Sequence, residues 1–219
     1  MKLVIGNQNY SSWSMRPWLF VAYHDLDIEV EKISLSDLEA LRRRFAHGKV
    51  PVLVDGFLEI WDSIAILEYL VELFPHTRGW PDDPEARAVA RSVSAEMHSG
   101  FSALRNELPM NCRRFFPGYS LSDDSLSDVR RIQQIWNMCR ERYGRDGPWL
   151  FGRFTVADAM YAPVVMRFRS AEVELDAVSR EYFETMHECD AVKRWLAEGR
   201  AEAEIVDYDE LDWPSTELP

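Results

Sequence analysis

Ser11, Ser12 and Ser14 fall within one four-residue stretch of "NQNYSSWSMRPWLF", with Arg16 and Pro17 directly after them. Pro17 suits the first turn of a helix, where no N–H is required. The hydroxyls therefore stand where a strand-like opening, "LVIGNQ", turns into a helix. A helix start leaves N–H groups unpaired and carries partial positive charge. Two uses follow: Ser14 caps the helix with Ser11 and Ser12 as loop polarity, or a hydroxyl donates to an anion held against the helix start. Asp62 and Ser63 open "DSIAILEYL" in a similar way, either as capping residues or as a seat for a ligand's ammonium and carboxylate. In "GKVPVL", Lys49 is a cation beside Val50-Pro51. The general preference for trans X–Pro makes Pro51 a strand start; a cis bond would turn the Val50 N–H and C=O outward to an extended ligand. His98, Phe101 and Arg105 follow at i, i+3 and i+7, with Met97 alongside, a spacing that suits either a packing face or a pocket wall.

Other chemistries find no motif. The sequence has no HExxH, HxxxH or EF-hand pattern, no glycine-rich nucleotide loop and no GxSxG elbow. Cys112, Cys139 and Cys189 are odd in number, widely spaced and without CxxC, as expected of free thiols in a reducing cytoplasm; a zinc site and a cysteine nucleophile lack support. A formal net charge of −12 disfavours nucleic acid and anionic membranes as partners. No apolar run is long enough to span a bilayer, and "MKLVIGNQN" lacks the pattern of a signal peptide.

The elements that must position these residues change character along the chain. "LVIGNQ" reads as a strand, "RPWLFVAYHDL" as a helix, "IEVEKISL" as a half-buried strand and "SDLEALRRRF" as a short helix. "VPVLVDGFLEI" reads as a hairpin turning at Asp55-Gly56, and "DSIAILEYLVELFP" as an amphipathic helix ended by Pro75. The order βαβαββα implies a layered α/β domain over residues 1–76. The proline-rich 77–84 reads as a linker, and 85–219 as an all-α domain. Within it, Thr155-Val156-Ala157-Asp158 is a capping box, Gly100 and Pro109 are weak points, and helices split near Cys189-Asp190. The tail "EIVDYDELDWPSTELP" has six acids and no Lys or Arg, and reads as exposed or loosely docked.

Each piece is common, but their order resembles the cytosolic glutathione transferases over roughly residues 2–200. The likeness is close at "SSWSMRPW", "GKVPVLVDG", "WDSIAILEYL" and "FTVADAMYAP"; "SSWSMR" is similar to the Ser-Ser-x-Ser-x-Arg stretch of the zeta class, and the serine type, zeta and theta included, is the nearest kin. The resemblance implies a thioredoxin-like first domain that binds glutathione as co-substrate, without metal, in a cytoplasmic homodimer. By resemblance, Val50 before a cis Pro51 pairs with the cysteinyl backbone, Asp62 and Ser63 hold the γ-glutamyl end, and Lys49 meets the glycine carboxylate. A serine hydroxyl then steadies the thiolate that attacks a small hydrophobic electrophile. Zeta-like alignment points to Ser11 for that role and theta-like alignment to Ser12, with Ser11 the favoured of the two. Trp13, Met97, His98, Phe101 and Arg105 are the candidates for the electrophile pocket. Trp13 stands where zeta enzymes carry cysteine, and Ala46-His47 where the family has Asn-Pro; the first departure counts against the zeta isomerisation of maleylacetoacetate. A non-catalytic binding protein of the same fold, or a glutathione-dependent isomerase or peroxidase, is the alternative.

Overall fold

The computed structural model describes residues 1–218; Pro219, the last residue of the expected helical domain, lies outside them. Its first elements are β1 (Lys2–Ile5), α1 (Ser12–Tyr23), β2 (Glu29–Lys32), α2 (Leu38–Arg44), β3 (Val52–Asp55), β4 (Leu58–Ile60) and α3 (Ser63–Leu73). These follow the βαβαββα order, and the sheet runs β2-β1-β3-β4 with β1 parallel to β2 and the other pairs antiparallel, a thioredoxin-like unit. Two local expectations change. β2 is an exposed edge strand and not half-buried: its acids are taken up by Lys2, which bridges Glu29 and Glu31 at 3.1 Å each, and by Arg44 on Glu31. Asp55 pairs with Leu58, so the hairpin turns on Gly56 and Phe57, with Gly56 supplying the positive φ of 60° that such a tight loop needs.

The helical part comprises α4 (Pro84–Ser99), α5 (Ser102–Glu107), α6 (Asp123–Tyr143), α7 (Val156–Ser170), α8 (Ala177–Glu188) and α9 (Asp190–Ala201), with a short ribbon of β5 (Arg114–Phe115) and β6 (Thr216–Glu217). Gly100 ends α4, and Cys189 separates α8 from α9. One hydrophobic core runs through both parts. Leu3 and Ile5 of β1, Met15, Leu19 and Phe20 of α1 and Ile66, Leu67 and Leu70 of α3 are continuous with Trp136, Met160, Tyr161 and Trp195 of the helical part. Trp18 meets Trp195 edge to face at 5.0 Å. Each such large side chain stabilises by roughly 1.5–3 kcal/mol on burial, so α1, which carries the serines, is held from both sides. Gly79 lets the linker lie close on the first domain: a Cβ there would lie 2.3 Å from Val71 Cγ2 of α3. The Gly79 carbonyl accepts the Val156 N–H at 2.8 Å.

The capping box forms at the head of α7. Asp158 accepts the Thr155 N–H at 2.8 Å, and its other oxygen accepts the Leu150 N–H at 3.1 Å. Burial raises its carboxyl to about 6 despite those bonds. Burial also pushes the free thiols of Cys112 and Cys139 up to about 12, which leaves them protonated and unreactive. Among the described residues no helix is long and apolar enough to cross a membrane.

The acidic C-terminal segment is docked, not loose. Glu202 accepts the backbone N–H of Gln8 at 2.9 Å and of Asn9 at 3.1 Å and lies 3.4 Å from Lys32. Glu204 accepts from Asn7 Nδ2 at 2.8 Å and from Ser34, while the Arg113 guanidinium holds the carbonyls of Glu202 and Glu204. The carboxylates that find no base within this segment find N–H groups and the Lys32 ammonium of the first domain, while Arg113 takes up backbone carbonyls.

Candidate functional site

The cap of α1 is Ser11, not Ser14. Ser11 Oγ accepts the Ser14 N–H at 3.4 Å and donates to Ser14 Oγ at 2.7 Å. Ser14 is fully buried and accepts the Gly6 N–H at 3.0 Å, which ties the helix start to the end of β1. Ser12 is the first residue of the helix, and its Oγ lies 3.4 Å from Arg167 Nη2. Arg167 is buried in α7 and anchored by the carbonyls of Leu108 at 2.9 Å and Pro163 at 3.2 Å.

Two further walls face this turn. The Val50–Pro51 and Trp61–Asp62 peptide bonds are both cis. Neither the N–H nor the C=O of Val50 is hydrogen-bonded among the described residues. Asp62 caps α3 through Oδ1 on the Ile64 N–H, and its Oδ2 lies 3.3 Å from His98 Nε2. Ser63 is buried at the first helical position.

A cavity of about 850 Å³ joins these walls. It is lined by Ser11, Ser12, Trp13, Lys49, Val50, Pro51, Asp62, Ser63 and Arg105, so these sequence candidates converge on one space. Met97 and Phe101 do not reach it: both lie in the core, because α4 turns that face toward its neighbours and the helix breaks at Gly100. His98 is also outside the lining, held between Asp62 and the edge of Trp13, whose ring centroid is 5.2 Å away. The Trp13 ring has the Arg16 guanidinium 4.2 Å and the Arg105 guanidinium 4.6 Å from its centroid. Burial, with the charges of Arg105 and Arg167, lowers Arg16 to about 9 and leaves its Nε and Nη1 without a hydrogen-bond partner among the described residues. Arg16 is thus a buried cation outside the cavity lining, in contact with the Trp13 ring that is part of it.

Sequence reasoning missed Met110, Arg167, Tyr208 and Asp209, which also line the cavity. Arg167 had a legible signal: a lone cation inside the apolar run "MYAPVVMRF" must find buried acceptors. Tyr208 and Asp209 had none, since only the docking of the tail brings them there. Burial raises the half-buried Asp209 carboxyl to about 6, against the pull of Arg167.

Family models match both parts of the chain: "Glutathione S-transferase, N-terminal domain" over residues 8–78 and "Glutathione S-transferase, C-terminal domain" over residues 87–198. Among curated relatives, a probable maleylacetoacetate isomerase of Caenorhabditis elegans is 36% identical over 99 residues, 44% of this chain and 46% of that protein. Glutathione S-transferase F14 of Arabidopsis thaliana is 32% identical over 138 residues, 58% of this chain and 52% of that protein. The chain spans about half the length of the curated relatives it matches. In fold it resembles a Burkholderia glutathione transferase homologue solved with bound glutathione, at TM-score 0.68 and 22% identity, covering 92% of this chain and 98% of that one. With both domain models matched in order, the chain belongs to the glutathione S-transferase family.

Proposed function

We propose that the protein is a glutathione transferase, in which the thiolate of bound glutathione attacks a small electrophile. The observation that carries this reading is the convergence of Ser12, Val50, Asp62 and Ser63 on one cavity. The unpaired Val50 backbone suits an extended peptide lying along the sheet edge. Lys49 is exposed at the same wall and suits the glycine carboxylate, while Asp62 and the start of α3 suit the γ-glutamyl ammonium and carboxylate. A free thiol titrates at about 8.5; a hydroxyl donor and a helix start lower that value. Between the two serines, the bonding pattern supports Ser12. Ser11 is committed to Ser14, whereas Ser12 accepts from Arg167 and keeps its own proton to donate. The sulfur then forms a bond to an electrophilic carbon and a leaving group departs, or the sulfur adds to an activated double bond. Trp13 and Met110 offer apolar surface for the electrophile, with Arg105 beside them. We place the enzyme in the cytoplasm as a homodimer, on its free thiols and its family.

Thermal unfolding with millimolar glutathione tests the reading. Ligand at about 100 times its dissociation constant should stabilise by about 2.7 kcal/mol. An unmoved midpoint would leave a binding scaffold of the same fold as the better reading.

A further inference from the structure

Arg167 and Asp209 come from elements far apart in sequence, and neither belongs to the glutathione-binding walls described above. Arg167 comes from α7 and reaches Ser12 of the serine turn; Asp209 arrives with the tail and lines the same cavity. The Arg167 guanidinium is fixed by two carbonyls and leaves Nη2 on Ser12 Oγ at 3.4 Å. A guanidinium only donates, so Ser12 can only accept from it, and the Ser12 proton is left for another acceptor. Burial lowers the Arg167 guanidinium to about 10 and raises the Asp209 carboxyl to about 6, and each charge offsets part of the other's shift. The tail is not there by accident of composition, since Glu202 and Glu204 fasten it to residues 7–9 and Glu210 accepts from the hydroxyl of Tyr10.

We propose that Arg167 and Asp209 are an opposed pair of positioning residues for the thiolate, Arg167 orienting Ser12 and favouring the anion, and Asp209 offsetting part of that positive charge. The inference rests on the Ser12 reading above. No proton or bond changes hands at either residue; they act on the equilibrium between thiol and thiolate. The other charged and titratable groups lining the space are His47, Lys49, Asp62, Arg105 of α5, and the hydroxyls of Tyr10 and Tyr208, with His98 of α4 against Asp62 and Arg16 of α1 against Trp13 just outside the lining. None of these touches Ser12 Oγ among the described residues; Arg167 does.

The test is a spectrophotometric titration of the thiol in the glutathione complex, read by thiolate absorbance. Arg167→Gln should raise the thiol pKa by about one unit, Arg167→Lys should recover part of that rise, and Asp209→Asn should lower it by about half a unit. A merely structural role for either residue would not move the thiol in opposite directions. An unmoved thiol in an Arg167→Gln protein that still binds glutathione would overturn the inference, as would an unmoved or raised thiol in Asp209→Asn. Should Arg167→Gln fail to fold, the sign of the Asp209→Asn change decides. Ser12→Ala, titrated alongside, separates the two levels. If its thiol is unchanged, the Ser12 reading itself fails; if its thiol rises while the Arg167 and Asp209 variants stay put, only this inference fails.

Discussion

Ser11 and Ser12 are chemically identical neighbours whose hydroxyls have different occupations. Ser11 closes the first turn of α1 through Ser14, and Ser12 faces the cavity beside Arg167. Their alanine variants should therefore diverge. Ser12→Ala removes a donor to the developing thiolate, and turnover of a chlorodinitrobenzene-type electrophile should fall on the order of 10²-fold with little change in stability. Ser11→Ala removes a cap, and denaturant unfolding should show a loss of about 1 kcal/mol with turnover less affected. The reverse assignment of losses would return the thiolate to Ser11. The residue types of this site are legible in the sequence because hydroxyls, a Val-Pro and an Asp-Ser carry recognisable local chemistry. Which serine is free is not, because it depends on an arginine 155 positions away. The same limit explains Met97 and Phe101. Helical spacing puts them on a common face, but only packing decides whether that face meets solvent, a ligand or the core.

At the scale of elements, the capping box on α7 is readable in full, since its two partners are three residues apart. Its consequence for pH is not, because that depends on burial. Asp158 titrates at about 6 when folded, against an ordinary value of 3.8. Between about pH 4 and 6 the folded state keeps a proton that the unfolded chain has released, so this group's contribution to stability falls as pH rises through that window. Each pH unit between the two values is worth about 1.4 kcal/mol, so the loss across the window comes to about 3 kcal/mol. Asp158→Asn should be less stable at pH 4, having lost an acceptor for buried Thr155 donors. It should also lack the decline that the parent shows between pH 4 and 6. Parallel stability curves for the two proteins would show that the carboxyl does not titrate in this range. The edge position of β2 escapes a sequence reading because alternation marks a strand without saying what lies on its outer side.

For the molecule as a whole, the β3–β4 hairpin presents Phe57 fully exposed with Leu58 beside it, more apolar surface than a turn requires. A second copy of the chain is the expected cover. Sedimentation equilibrium should give twice the mass of one chain, and Phe57→Ser should move the balance toward single chains; a monomeric parent protein would contradict the assembly. The docking of the acidic tail is hidden in the sequence because a segment without bases of its own gives no hint of where its partners lie. Those partners, Gln8 and Asn9 among them, precede the reactive turn by only a few positions. During translation, residues 7–12 emerge from the ribosome early, whereas Glu202, Glu204 and Glu210 emerge some two hundred residues later. The N-terminal layers can collapse while the chain is still growing, but their serine-bearing loop waits for its last restraints until those glutamates have emerged, so a nascent or stalled chain that lacks them carries the pocket in unfinished form.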